Sequence, residues 1–356
     1  YNIQSGEITR LSPNGEMIIV ERSGEYLTVA DLKRRGKPLK RNGSASIWDM
    51  GEQVLLVEYH TKMNAMDPMN MEMLLNAVDM AESGNWKGVV IGNDATNFCA
   101  GANLGLALFA ANLAAWKDLD DFIALGQDTY QTLKFSEVPI VAASAGLCLG
   151  GGDEVLMHCD AVQAHSESYV GLVEVGVGVF PAGCGSKEMA LRAYSNKETD
   201  DIFPLLSKYF EQIAMAKFSA SALEAKEMGY LKTDDVIIAN PNELLYVAKQ
   251  QALALLESGF KPPLDTTFKV VGKAGYANIM AQVANLYEGH FMSDHDNIII
   301  TRLAKVMTAS KVEENTVVNS QMILDLEKKY FIELLATKKT QDRIEYMLKN
   351  SKPLRN

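Results

Sequence analysis

The alternation of apolar runs with amphipathic ones constrains this chain more than any other feature. From residue 46, IWDMGEQVLLVEYH reads as β-rich, MDPMNMEMLLNAVDMAE as a capped amphipathic helix and WKGVVIG as a short buried strand. A helical region from about 106 to 134 and the apolar strand VPIVAAS follow. Strands alternating with helices predict βαβ units and an α/β core. From 198 to about 259 the pattern is helical with a strand-like DVIIA inserted, and KPPLD (261–265) punctuates the chain. Beyond it, GYANIMAQVANLYEGHFMSDHDNIIITRLAKVMTA and VNSQMILDLEKKYFIELLATKKTQDRIEYMLKN predict helices throughout. At the other end, IQSGEITRLSPNGEMIIVERSGEYLTV predicts a hairpin-like lead-in, and DLKRRGKPLKRNGSAS (31–46) has the basic, glycine-bearing composition of a linker. The expected organisation is a lead-in and linker over 1–45, an α/β domain over 46–260 and a helical region over 261–356.

Composition limits what such a chain does. With 356 residues, 47% hydrophobic and 22% charged, it can bury a sizeable core. A net charge of -11 argues against sequence-independent nucleic-acid binding but leaves room for a small basic pocket. Cys99, Cys148, Cys159 and Cys184 have neither metal-ligand nor disulfide spacing, so reduced thiols in a cytoplasmic protein are expected. No apolar run reaches the roughly 18 residues that span a bilayer. The chain begins with Tyr1 rather than Met, as a fragment or processed chain would.

The stretch LGGGDEVL (149–156) sets three glycines beside two acids. A phosphate loop needs GxxxxGK[ST], whereas Asp153 and Glu154 would repel phosphate. The register of a dinucleotide fingerprint fails, and no GxSxG elbow is present. A strand, a glycine turn and a helix start remain. At such a junction backbone N–H groups point outward, and glycine lets a ligand oxygen approach. FCAGANLG (98–105) is a second small-residue loop after a buried strand. Two such loops at the carboxyl ends of neighbouring strands would face one crevice and polarise a thioester carbonyl.

These residues carry a family resemblance. FCAGANL resembles the FAAGADI motif of the crotonase (enoyl-CoA hydratase/isomerase) family, and PIVAASAGLCLGGGDEVLMHCDAVQAHSESYVGLVEVGVGVFPAGCG resembles its central block. The resemblance covers about 46–259 and implies a crotonase-like ββα-repeat spiral core with a C-terminal helical extension. It implies that the backbone N–H groups of Ala102 and Gly151 form an oxyanion hole, and that Glu154 and Glu174 are the catalytic acids. Glu154 would chiefly activate water and Glu174 would chiefly protonate C2 of a 2-enoyl thioester. KMNAM (62–66) matches the loop that cradles part of coenzyme A, so Lys62, Asn64, Ala65, Ala100, Asn103, Leu104 and Gly150 are the expected substrate-binding residues. Asn103 replaces the family's common aspartate while retaining local hydrogen bonding. Asp153 stands where the family has a small or apolar residue, and either alters the pocket or faces solvent.

The C-terminal hundred residues resemble the tail of bacterial multifunctional fatty-acid oxidation proteins, in which an NAD-dependent 3-hydroxyacyl-CoA dehydrogenase precedes the hydratase. The resemblance implies that residues 1–41 end that upstream region. It also implies that coenzyme A arrives on the substrate, that NAD belongs to the dehydrogenase part, and that the core forms an oligomer. Enoyl-CoA hydratase of β-oxidation is the expected activity; double-bond isomerisation, thioester hydrolysis and a non-catalytic scaffold are the alternatives. No metal is expected, since the five histidines lack ligand spacing and SDHDN (293–297) reads as a helix start. Met69, Met71 and Met73 read as core or acyl-pocket lining, and nothing beside Cys99 or Cys148 supplies a base for a thiol nucleophile.

Overall fold

The computed structural model describes residues 9–19, 25–196 and 201–356. A small hairpin of β1 (Thr9–Leu11) and β2 (Met17–Ile19) leads to α1 (Val29–Arg35). The expected lead-in is therefore seen over 9–19, while residues 3–8 and 20–24 lie outside the described residues. The stretch expected as a linker carries most of α1. Thr28 and Asp31 close a reciprocal capping box, and Leu27, Val29 and Leu32 are buried against the sheet. Lys33, Arg34 and Arg35 of the stretch fall on the last turn of that helix, where they complement its dipole.

The chain then builds a seven-stranded sheet whose spatial order is its sequence order. β3 (Lys40–Arg41), β4 (Ala45–Asp49) and β5 (Val54–Tyr59) run antiparallel. From β5 onward pairing is parallel, and each step needs a crossover. α2 (Pro68–Ser83) leads to β6 (Gly88–Gly92), α3 (Leu104–Asn112) and α4 (Trp116–Lys134) to β7 (Ile140–Leu149), and α5 (Gly151–Met157) to β8 (Ala161–Gly171). α6 (Gly185–Tyr194), α7 (Phe203–Ala214) and α8 (Ala222–Met228) precede β9 (Val236–Ile238), and α9 (Leu244–Glu257) returns across the sheet. Residue 198, where helix was expected to resume, lies outside the described residues; the helix there is α7, from Phe203.

Strand residues alternate between two cores. Leu55, Val57, Val89, Ile91, Ile140 and Ala142 face the larger one, while Val54, Leu56, Val90 and Val141 face α1 and α9. Both faces being covered, the strands read as continuous apolar runs. The expected α/β crotonase-like core with a helical C-terminal extension is the fold seen. β10 (Phe268–Lys269), α10 (Gly272–Glu288), α11 (Asp294–Met307), β11 (Val317–Val318), α12 (Ser320–Leu335) and α13 (Lys338–Asn350) complete the chain. Ile299, Leu303, Ile323 and Leu334 of this extension belong to the same larger core. SDHDN is a helix start: Ser293 and Asp296 form a capping box at α11. No helix among the described residues is long and apolar enough to cross a membrane.

Candidate active site

A bend in the sheet brings the two glycine-bearing loops together. Between Ser144 and Gly146 the β7 to β8 register shifts, β8 advancing from Ala164 to Ser168 opposite them. Gly146 has φ +63°, and a Cβ there would sit 1.8 Å from the Thr96 carbonyl oxygen, so only glycine fits. Past the bend, the end of β7 leaves its straight path and pairs with the segment after β6. Phe98 and Cys99 donate backbone N–H bonds to the Ala145 and Leu147 carbonyls, and Leu149 donates to Cys99. FCAGAN and LGGGDE thus lie side by side.

Each glycine of the triplet has its own reason. Gly150 has φ 54° and ψ -122°, and a Cβ on it would approach Glu174 Oε1 at 2.9 Å. A Cβ at Gly152 would meet the Cys99 carbonyl oxygen at 2.6 Å, so α5 packs this closely only without a side chain. Gly151 is the first residue of α5, where N–H groups lack intrahelical partners. Its Cβ position lies 3.7 Å from the Ala102 nitrogen and 3.3 Å from the Tyr130 hydroxyl. Met66 pairs with Ala102 by donating to the Gly101 carbonyl and accepting from the Asn103 N–H. That pairing turns the Ala102 N–H to the opposite side, toward Gly151.

Ala102, Gly151, Glu154 and Glu174 line one cavity of about 410 Å³. Its walls are otherwise apolar: Met66, Met71, Leu104, Phe122 and Ile123 on one side, Phe331, Leu335, Ile344 and Met347 of the extension on the other. Glu154 and Glu174 are its only charged side chains among the described residues. Met71 is therefore cavity wall and Met73 core, whereas Met69 is exposed.

The two carboxyls are held differently. Glu154 is buried, and its Oε1 accepts the Gly185 N–H at 2.8 Å. Burial pushes it up to about 7, while the Gly185 and Gly183 N–H groups and the Lys187 ammonium favour the ionised form. A Cβ at Gly183 would lie 2.6 Å from Glu154 Oε2, and one at Gly185 2.8 Å from Oε1. Glu174 opens a single 3₁₀ turn, Glu174–Val177, and its Oε2 is buried without a hydrogen-bond partner among the described residues. Desolvation first, then the charge of Glu154, raises it well above the carboxylate range. Behind α5, His158 stacks on Tyr130 and its Nδ1 lies 2.6 Å from the Glu154 carbonyl oxygen. Burial lowers His158 to about 4, so it is neutral there, and that Nδ1 donates.

The remaining expected residues divide. Ala100, Leu104 and Gly150 line the cavity with Ala102 and Gly151. Lys62 is exposed on a 3₁₀ turn, Lys62–Asn64, that precedes Met66. Asn64 is buried and donates its Nδ2–H to the Asn97 carbonyl at 2.9 Å, and the Ala65 carbonyl accepts from the Thr61 hydroxyl. Asn103 caps α3, its Oδ1 accepting from Gly105 and Leu106, which is the local bonding expected of it. Asp153 does not face solvent: it is fully buried, neither carboxyl oxygen has a hydrogen-bond partner among the described residues, and burial raises it well above its usual range. Cys99 and Cys148 are buried thiols pushed upward by desolvation, Cys99 to about 12, and are inert on that account. Tyr130, Gly183 and Gly185 escaped sequence reasoning, whereas cover of the acyl end by helices of the C-terminal extension is one of two arrangements the family resemblance implies, the other being docking on a neighbour. PAGCG showed its glycines openly, but only the position of Glu154 reveals their purpose.

The sequence profile of the family described as enoyl-CoA hydratase/isomerase matches residues 50–230, just over half of the chain. The chain belongs to the enoyl-CoA hydratase/isomerase (crotonase) family. A Bacillus subtilis protein described as a probable 3-hydroxyacyl-CoA dehydrogenase is 38% identical over 99% of this chain, which spans 45% of that relative. Crotonyl-CoA hydratase of Syntrophomonas wolfei is 33% identical over 39% of this chain and 54% of its own length. In fold, the chain is similar to the crystal structure of enoyl-CoA hydratase from Bacillus halodurans, with a TM-score of 0.56 at 16% identity over 85% of this chain and 99% of that one. Family membership accounts for the paired loops and leaves the reaction to be read from the site.

Proposed function

We propose that this crotonase-family chain adds water across the 2,3 double bond of 2-enoyl-CoA thioesters, as the hydratase part of a longer fatty-acid β-oxidation protein that also carries a 3-hydroxyacyl-CoA dehydrogenase. One observation carries the reading: two backbone N–H groups and two carboxyls, Glu154 raised to about 7 and Glu174 raised well above the carboxylate range, meet in one apolar cavity. A pair of acids whose surroundings push them apart supplies a base and an acid together near neutral pH. Glu154, with N–H donors on its carboxylate, is the base. Glu174, one of whose oxygens is desolvated and met by no donor, keeps its proton and is the acid.

The step then balances. Glu154 takes a proton from water as the water oxygen bonds to C3. The C2–C3 π pair moves toward the thioester, whose oxygen becomes enolate-like between the Ala102 and Gly151 N–H groups. Each such donor is worth roughly 2.7 to 4 kcal/mol in the transition state. The enolate collapses and C2 takes the proton of Glu174. One proton has passed from Glu174 to the product and one from water to Glu154, and its return to Glu174 resets the site. The apolar walls hold the acyl chain, and Lys62, exposed ahead of the Met66 to Ala102 pairing, offers a cation to the coenzyme A end. Coenzyme A is carried in by the substrate, and NAD serves the dehydrogenase part.

The test is to supply short, medium and long 2-enoyl-CoA substrates and follow loss of the conjugated thioester absorbance. Turnover supports the hydratase reading and reports the chain length the cavity accepts. No loss at any chain length overturns it in favour of another crotonase-family reaction.

A further inference from the structure

We infer that Glu327, on α12 of the C-terminal extension, is a positioning residue of this site: it fixes the backbone at residues 183–185 and through it the carboxylate of Glu154. The inference rests on the hydratase reading above. Successive N–H groups of that short segment point to opposite sides. Gly185 donates to Glu154 Oε1 at 2.8 Å, the Gly183 N–H also favours the ionised form of Glu154, and Cys184, between them, donates to Glu327 Oε2 at 3.0 Å. Lys187 N–H, one turn into α6, donates to Glu327 Oε1 at 2.6 Å. Gln127 on α4 completes the arrangement, its Nε2 lying 3.4 Å from Glu327 Oε2, 3.0 Å from the Ala182 carbonyl and 3.1 Å from the Leu324 carbonyl.

Two physical points make this more than packing. Cys184 holds φ 78°, a left-handed conformation that a residue with a Cβ keeps only where its surroundings over-determine it. Glu327 and Gln127 supply that constraint at Cys184 and Ala182, on either side of Gly183. Glu327 is also wholly buried, and a buried carboxyl is costly unless its oxygens are satisfied. Its oxygens are met by N–H donors, so the segment and the carboxyl hold one another. Burial, then the charge of Glu154, pushes Glu327 up to about 8. The ionisable groups facing the two carboxyls are Lys187, Glu174, Cys184, Tyr130, Cys99 and Asp153, with Lys187 paired to Glu188, which also binds Lys134 and His158.

A positioning role and a purely electrostatic one have opposite signs. If Glu327 merely added negative charge near Glu154, Glu327→Gln would lower the Glu154 pKa. If it holds the segment, the amide sets an NH₂ against a backbone N–H, the segment shifts, and Glu154 loses donors that favour its ionised form. The acid limb of kcat against pH then moves upward, by about half a unit or more, with kcat down about 10-fold or more and KM for a 2-enoyl-CoA within about twofold. Glu327→Asp keeps the carboxyl but is one methylene short, and is expected to move the limb the same way by less; it serves should the glutamine variant not fold. ¹³C NMR titration of the Glu154 side-chain carboxyl reads the same shift without turnover. An upward shift in either readout supports the inference, and an unchanged or lowered Glu154 pKa in the folded variant overturns it. A wild-type protein inactive on every 2-enoyl-CoA counts against the hydratase reading, while the NMR titration still decides the role of Glu327.

Discussion

Glu154 and Glu174 differ in what meets their oxygens, and the pH dependence of activity follows from that difference. Glu154 must be ionised to accept a proton, so kcat is expected to fall as pH drops through about 7. Glu174 must be protonated to give one, so kcat also falls as pH rises through its value, which lies well above the usual range. The two limbs belong to the coupled pair rather than to either residue alone. Glu154→Gln and Glu174→Gln should each lower kcat by about 10²- to 10⁴-fold with KM nearly unchanged, because proton transfer is lost and acyl-CoA contacts are kept. Gly183→Ala, which places a Cβ 2.6 Å from Glu154 Oε2, should lower kcat and raise the acid limb. Glu154, Glu174, Ala102 and Gly151 were singled out by the family resemblance of the two glycine-bearing stretches, and the fold brings all four to one cavity. Tyr130 and Glu327 were not, since each is one polar position on an amphipathic helix, and only the tertiary fold turns Tyr130 toward the cavity and Glu327 toward the backbone of residues 184 and 187.

At the scale of elements, α12 and α13 form one wall of the cavity, and α13 packs on the turn that carries Glu174. The Thr340 hydroxyl, at the start of α13, donates to the Gly178 carbonyl at 2.7 Å, and its oxygen lies 2.8 Å from His295 Nε2. Burial lowers His295 to about 4, and as a neutral imidazole it donates to that oxygen. Arg343, fully buried, pairs with Asp296 at 2.7 Å and ties α13 to the start of α11. Met347→Trp, filling the cavity from the α13 wall, is expected to raise KM for long 2-enoyl-CoA substrates and leave short ones nearly unaffected, which a chain-length series reads directly. Strands and helices with a strong period were visible in the sequence, but their ends were not. The helical region expected from 106 to 134 is two helices, broken where Ala114 takes φ 53°. β7 runs past VPIVAAS to Leu149 because it gains a non-local partner at Cys99.

At the scale of the whole molecule, one core crosses residue 260, joining the sheet's larger face to α10 through α13. Truncation at that point would uncover buried residues such as Met189, Ala193 and Leu206 and remove Glu327, so the shortened chain is expected to aggregate or remain unfolded by circular dichroism. The same core buries an unusual set of carboxyls. Glu154 is raised to about 7, Glu327 to about 8, and Asp153 and Glu174 well above their usual ranges. Each binds its proton more tightly folded than unfolded, so the stability it contributes is full below the ordinary carboxyl range and lost as pH rises through the folded value. His158 runs the other way, since its lowered value makes its contribution complete above about 6.5. The Tm is therefore expected to fall between about pH 6.5 and pH 8.5, where the carboxyls alone are changing; a flat or rising Tm across that window would contradict their burial as protonated groups.

The central claim, that Glu154 and Glu174 hydrate a 2-enoyl thioester between them, is tested most directly by identifying the product formed in deuterium oxide. The wild-type chain should convert 2-enoyl-CoA to 3-hydroxyacyl-CoA with one deuterium at C2, and neither glutamine variant should do so above a trace. A shifted double bond or free coenzyme A as the wild-type product, or full hydration by both variants, would contradict it.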